Sequence, residues 1–498
     1  MSKAKPIFYS ALLLTGVNLL LRFVGTSFQV YLSARIGAEG IGLLQLVLSI
    51  GTMTMVAGMG GIRTATMYLT AEELGRDHPG RVKWVLSGCL TYSIAISGAV
   101  ALLVYSFAPF LAGHWIGDPQ TLSAIRLFAV FLPVNCLTGV MVGYFTGAQR
   151  IGMLSAVEVA EQAASMACTL ALLHFWAGHD AAKCCLAVVM GSGIAGCLTL
   201  SCLMLLRLRE RHKPEPRIPV ARRLAAVALP LAVADDLRTG ITTVENLIVP
   251  RRLALYSGTA SPLAAFGRVS GMVFPVLMFP ACILYGLAEL LIPELARCAA
   301  AGSHRRIHYL VRRSLKTALL YGVLLGGLLY LVAEPLSIRL YGDPEVGRQL
   351  RLYTLLIPML YCDSITDAMT KGMGQQKICV RYNILTSFLD VVFLYILLPK
   401  YGMNGYFFSF LVTHLLNFVL SLRRLLKITR ESIPVHIPIL SLCGAVMAAW
   451  AADHLIWVPG KIIAYLLLLG SLLYLFRVVN REDLRWFRQM VRQPKTPC

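Results

Sequence analysis

Four arginines lie inside apolar stretches of this chain: Arg22, Arg63, Arg238 and Arg268. Nine acids do the same: Glu158, Glu161, Asp235, Asp236, Glu245, Glu289, Asp363, Asp367 and Asp390. An ionisable group in a bilayer core costs at least about 2.5 kcal/mol, so it normally faces a bundle interior or water. A guanidinium placed there can grip phosphate oxygens through two parallel hydrogen bonds. A carboxyl can hold a cation, or a proton where burial favours its neutral form. The chemistry suggested is the binding and release of charged solutes and ions.

Arg22 sits mid-span in "NLLLRFVGTSFQVYL" (Asn18 to Leu32), with no acid in its own span. Arg63 is read as nearer the cytoplasm and Arg268 nearer the outside. Such a ladder of guanidiniums suits a diphosphate, so Arg22, Arg63 and Arg268, with Glu245, are the expected substrate-binding residues. Arg238 is expected to pair structurally with Asp235 at i−3, and Asp367 with Lys371 at i+4. Glu158 and Glu161 lie three apart on one helix face. They and Asp235 and Asp236 are the candidates for coupling to Na⁺ or H⁺; no other cofactor is expected. Pro275 and Pro280 interrupt one over-long span and are the candidate gate. His304 and His308 share a helix face, but in a basic loop, and no metal site is expected there.

The elements that must position these groups follow from composition. The chain has 498 residues, is 57% hydrophobic and only 14% charged, with mean hydropathy +0.69. A soluble domain carries about 25% charged residues. Apolar runs of about 20 residues recur along the whole length, the signature of membrane helices and not of a barrel. Fourteen spans are expected, at roughly 7–35, 40–69, 84–107, 121–146, 151–176, 183–206, 224–250, 260–293, 314–335, 349–371, 381–399, 403–422, 433–455 and 460–477. The net charge of +21 is concentrated in alternate loops and at the two ends. That side is the cytoplasm by the positive-inside rule, so the excess does not imply nucleic acid. No cleavable signal peptide is expected, since Arg22 interrupts the first apolar run. The 13 Cys lie mostly in apolar runs with no CxxC spacing, and are read as small hydrophobes.

A repeat is hidden in the loops. "WIGDPQTLSAIRLFAVFLPV" from Trp115 matches "LYGDPEVGRQLRLYTLLIPM" from Leu340. Gly117-Asp118-Pro119 aligns with Gly342-Asp343-Pro344, Arg126-Leu127 with Arg351-Leu352, and Pro133 with Pro358, all 225 residues apart. "TGAQR" (Thr146 to Arg150) then resembles "MGQQK" (Met373 to Lys377). A common turn explains the Gly-Asp-Pro match but not the further matches at the same spacing. The repeat is six helices long, and an even number preserves orientation, giving two parallel bundles. The expected organisation is an N-terminal six-helix bundle (1–206), a basic cytoplasmic linker (207–223), a second six-helix bundle (224–430), and helices 13–14 with a cytoplasmic tail (431–498).

Six plus six plus two helices resembles the multidrug/oligosaccharidyl-lipid/polysaccharide exporter superfamily, polysaccharide branch. The resemblance rests on "RIGAEGIGLLQL" (Arg35 to Leu46), "GYFTG" (Gly143 to Gly147) and "VAEQ" with Glu161-Gln162. It rests further on "ENLIVPRRL" (Glu245 to Leu253), "LIPELAR" (Leu291 to Arg297) and "GMGQQK" (Gly372 to Lys377). It implies an alternating-access flippase that moves an undecaprenyl-linked oligosaccharide or peptidoglycan precursor outward across a bacterial cell membrane. Its partners would be a lipid-linked sugar diphosphate and membrane lipids, and it would act as a monomer. The related lipid II flippases use cavity arginines on their first, second and eighth helices. Arg22 matches one through Arg-x-x-Gly (Arg22, Gly25); where a second is expected, Phe28 stands. A cation-coupled multidrug exporter on the same fold is the alternative. A membrane glycan-modifying enzyme would need catalytic His or acids in sizeable loops, which the sequence lacks.

Overall fold

A computed structural model describes residues 4–178, 180–210, 215–216, 219–431 and 436–479. The expected cytoplasmic N-terminus (1–3), part of the linker (211–214, 217–218) and the tail (480–498) lie outside the described residues. The described elements are helical: α1 (Ala4–Met59), α2 (Ile62–Gly75), α3 (Val82–Phe110), α4 (Leu122–Gly147), α5 (Ile151–Leu172), α6 (Ala181–Leu208), α7 (Ala221–Leu253), α8 (Pro262–Gly267), α9 (Phe274–Met278), α10 (Cys282–Ala300), α11 (His304–Tyr341), α12 (Pro344–Tyr353), α13 (Ile357–Gly372), α14 (Gln376–Thr429), α15 (His436–Asp453) and α16 (Val458–Leu475).

Among the described residues nine helices are long and apolar enough to cross a membrane, or ten with the broken pair Pro262–Met278 and Cys282–Ala299. Two of them are double. α1 contains Gly37 at φ 70° and α14 contains Gly402 at φ 57°, each a non-helical break. Only glycine adopts such a backbone without a Cβ penalty, so each break separates two passes. The breaks fall in the gaps expected between spans 1 and 2 and between spans 11 and 12. α7 and the α12–α13 pair fall outside that apolar set; α7 carries Asp235, Asp236, Arg238 and Glu245. The helices are thus compatible with fourteen passes. Leu102 is 70% exposed and Phe175 84%, as side chains facing lipid would be.

By internal packing the chain forms two units, Met1–Met272 with Ser387–Ser409, and Val273–Thr386 with Phe410–Cys498. The first buries Ile62, Val85, Met141, Phe145 and Leu203 in one cluster shared by α2, α3, α4 and α6. The second buries Val323, Ala449, Tyr465 and Leu469 where α11 meets the α15–α16 hairpin.

The repeat is a repeat of geometry. Gly117 (φ 84°) and Gly342 (φ 66°) both end a helix in the left-handed region. Asp118 then accepts from the Gln120 N–H at 2.9 Å, and Asp343 from the Glu345 N–H at 2.9 Å. Proline follows each at the first helical position, where its missing N–H costs nothing. A further pair keeps the spacing of 225. Arg126 lies over the Tyr105 ring at 5.2 Å, and Arg351 over Tyr330 at 4.4 Å.

The described part of the linker is fastened to the first unit. The Glu210 carboxylate accepts from the Tyr144 hydroxyl and from Arg150. Glu215 accepts from the Gly80 N–H at 3.0 Å, and its carbonyl from the Trp84 indole at 3.1 Å. Arg223 bridges Glu72 at 2.6 Å and Glu73 at 2.7 Å. Glu73 is only 1% exposed. Arg223→Ala strands that carboxylate and should cost about 3 kcal/mol of stability. Unfolding in detergent checks this, with the exposed neighbour Arg222→Ala expected within about 0.5 kcal/mol of wild type.

Candidate transport site

The expected site residues other than the two prolines fall in the first unit, and glycine contacts set their positions. α2 lies on α4 along "GYFTG": a Cβ on Gly143 would meet the Arg63 carbonyl oxygen at 2.4 Å, and one on Gly147 the Met67 carbonyl at 2.6 Å. This small-xxx-small contact brings the backbones close and fixes Arg63 at the start of α2. α1 and α8 cross in the same way. A Cβ on Gly267 would lie 2.0 Å from the Ala38 carbonyl, and one on Gly42 2.4 Å from the Leu263 carbonyl. The next residue is Arg268, which opens a π-helical segment, Arg268–Val273. Single π turns inside helices are frequent at functional sites. Gln29 of α1 donates to the Gly271 carbonyl in that segment at 3.1 Å.

Arg22 lies seven residues before Gln29. Seven residues are two turns, so both project from one face of α1, about 10 Å apart along its axis. Arg22 is therefore on the face that meets the Arg268 segment. Its side chain is exposed, as is that of Arg63, while Arg268 is half-buried. Because the contact atoms at Gly267 are backbone, they cannot move aside. Gly267→Ala should separate α1 from α8 and cost at least about 1–3 kcal/mol. The control is Gly98→Ala, where a Cβ meets nothing within 4 Å. Folded yield after detergent extraction tests the difference.

The acids form separate groups. Glu158 and Glu161 of α5 act on one another electrostatically. Arg63 is within electrostatic reach of Glu158, and Thr199 of α6 donates a hydrogen bond to Glu161. The expected Glu158–Glu161 pair is thus one cluster with a cation on one side and a hydroxyl on the other. Asp235 and Asp236 are exposed on α7, with Asp236 within electrostatic reach of Tyr92. Arg238 does not close the ion pair expected with Asp235; both side chains are exposed on α7. Spacing alone brings Cβ atoms near, and exposed heads then gain little by pairing. The expected Asp367–Lys371 pair does form, at 2.6 Å.

Glu245 has a partner that spacing could not show. The Asp390 carboxyl lies within hydrogen-bonding reach of it. Asp390 is 4% exposed and accepts from the Ser409 hydroxyl at 2.5 Å. Two carboxyls can be hydrogen-bonded only with a proton between them. The motif "ENLIVPRRL" fixes this arrangement. Asn246 donates to the Ser49 hydroxyl at 3.0 Å, tying α7 to α1. Arg252 donates to the Tyr395 carbonyl at 3.1 Å and lies over its ring at 3.7 Å, tying α7 to α14.

Pro275 and Pro280 belong to the second unit. Pro275 is in the first turn of α9, and Pro280 lies in the turn between α9 and α10. Carbonyls near this break find tyrosine donors. Tyr321 donates to Pro280 at 2.9 Å and Tyr361 to Leu277 at 3.1 Å, with the two rings stacked 5.8 Å apart. A break so supplied with donors is a built feature of a membrane helix.

Comparison with known proteins follows the same lines. A sequence profile described as "Polysaccharide biosynthesis protein" matches residues 7–244, and one described as "MatE" matches residues 245–396. Stage V sporulation protein B of Bacillus subtilis (strain 168) is 21% identical over 95% of this chain and 96% of its own. Sporulation protein YkvU of the same organism is 22% identical over 74% of this chain and 82% of its own. The lipid II flippase MurJ in an inward closed conformation superposes with TM-score 0.67 at 14% identity, covering 93% of this chain and 98% of that one. An inward-facing multidrug resistance MATE family transporter superposes with TM-score 0.66 at 12% identity, covering 83% and 96%. The chain is a multi-pass membrane protein with the fold shared by these two transporter structures. The two profiles together span residues 7–396, and over nearly its whole length the chain is similar to stage V sporulation protein B.

Proposed function

We propose that this chain flips a polyprenyl-diphosphate-linked glycan from the cytoplasmic to the outer leaflet, as a carrier and not as an enzyme. The observation behind the reading is the placement of arginines. Arg22 projects from the α1 face that meets the π-helical segment opened by Arg268, and Arg63 heads α2. Guanidiniums at membrane depth suit the oxygens of a diphosphate, while the apolar tail stays in the bilayer. The polysaccharide profile over residues 7–244 and the fold shared with a lipid II flippase support the same substrate class. In this reading both termini are cytoplasmic, the chain works as a monomer, and Pro275 and Pro280 mark the moving helix.

Glu245 and Asp390 supply the coupling. Their shared proton is taken up on one side and released on the other; Glu158 and Glu161, with Asp235 and Asp236, are the further acids available to a proton or Na⁺. A cation-coupled multidrug exporter is the second reading, favoured by the MatE match over residues 245–396. Reconstituted protein separates the two. Flipping of a fluorescent undecaprenyl-diphosphate glycan supports the proposal. Efflux of a cationic dye without glycan flipping overturns it.

A further inference from the structure

The second unit contains a cavity of ≈ 770 Å³ that the transport reading does not use. It lies between α11, α13, the second half of α14 and α15. Its long wall is apolar, with Phe418 and Leu422 of α14 among the lining side chains. One end is different. Arg312 and Lys316 come from the third and fourth turns of α11, His436 opens α15, and Arg477 follows the last turn of α16. α11 runs away from this end and α13 begins at the other, so the basic groups share one mouth and the apolar wall extends from it.

We propose that this groove holds one anionic phospholipid of the bilayer, its headgroup phosphate between Arg312 and Arg477 and an acyl chain along Phe418 and Leu422. Charge complementarity selects the occupant. An apolar trough alone would take any lipid tail, but three permanent cations at its mouth favour a lipid with net negative charge. Basic pockets between membrane helices are recurrent sites for such headgroups, at about 1 kcal/mol per Lys or Arg. The Arg312 and Arg477 side chains are exposed and can close on a headgroup. The lipid would cover the seam between α11, α14 and α15, as a resident component and not as cargo. The inference does not depend on which solute the chain transports.

Native mass spectrometry of the purified full chain tests this, with dioleoyl phosphatidylglycerol, dioleoyl phosphatidylcholine and undecaprenyl phosphate as probes. Only folded, monodisperse protein is counted. The wild type should retain one phosphatidylglycerol in preference to phosphatidylcholine. Each cation removed should weaken retention about fivefold, so the double variant Arg312→Gln/Arg477→Gln should lose about 25-fold. Leu422→Trp, which fills the apolar wall and keeps the charges, should lose retention as well. Equal retention of the two phospholipids, unchanged retention in both variants, or displacement of phosphatidylglycerol by undecaprenyl phosphate would each overturn the proposal.

Discussion

Glu245→Gln should leave the protein folded and inserted, lower the initial rate of transport at least about tenfold, and flatten its dependence on pH. Glu245 and Asp390 face one another within hydrogen-bonding reach, and a bond between two carboxyls requires a proton. Remove the proton and two like charges face each other; at 4 Å and an effective dielectric of about 20, that repulsion is about 4 kcal/mol. Such an energy cannot be carried in place. Either α7 and α14 separate locally, or a cation replaces the proton. In the proposed cycle, proton loss would thereby be linked to a change of helix packing, which is what coupling requires. Glutamine keeps the hydrogen bond and can never release the proton, so the pair is held in its closed arrangement. Asp390→Asn should act in the same direction. Ser409→Ala removes one donor to Asp390 and should have a smaller effect, about 1.5–3 kcal/mol or less. The measurement is the initial flipping rate in proteoliposomes at several pH values on either side, with and without Na⁺. A Glu245→Gln variant with the wild-type rate and the wild-type pH and Na⁺ response would reduce the pair to a structural contact.

What the sequence could show was local. The two Gly-Asp-Pro turns were readable because each uses nearest-neighbour chemistry: a left-handed glycine, an aspartate cap and a proline that needs no N–H. The breaks at Gly37 and Gly402 were equally visible, since a chain crossing a membrane twice must turn and glycine is what permits it. The cation–π pair was not seen, although its signal was present. Tyr105 and Tyr330 stand at the same offset as Arg126 and Arg351, and testing the repeat for aromatic positions would have found them. Pairing at a distance was illegible. Asp390 was recognised as an acid in an apolar span, but nothing in the sequence assigns it to Glu245, some 145 positions away, without an account of how α7 packs on α14. The converse holds for Arg238, where an allowed spacing did not become a contact because both groups are exposed. Motifs met first as family marks acquired causes in the structure. Gly143 and Gly147 are required by the carbonyls of Arg63 and Met67, and "ENLIVPRRL" by the two ties that α7 makes through Asn246 and Arg252.

Arg22 should tolerate replacement for folding and not for transport. The side chain is exposed on α1, so neither Arg22→Lys nor Arg22→Ala opens a cavity. Any local partner it has in the resting state is expected to contribute little, because exposed pairs are worth about 0–1 kcal/mol. Its value lies in what arrives. In the proposed cycle a diphosphate entering along α1 would meet Arg22 two turns from Gln29, the residue that holds the Gly271 carbonyl. Between Arg22 and Arg268 such a group could accept charge-assisted hydrogen bonds, each worth about 1.5–3 kcal/mol. Arg22→Ala should therefore slow flipping of a diphosphate lipid by about ten- to a hundredfold. Arg22→Lys keeps the charge but offers no planar fork, and should recover only part of that loss. Neutral or cationic solutes should be affected far less by either change. The assay is flipping of a labelled polyprenyl-diphosphate glycan at matched protein levels, with a cationic dye run in parallel. If Arg22→Ala flips the glycan at the wild-type rate, the arginine on this face of α1 serves the packing of the helix and the diphosphate must be gripped elsewhere.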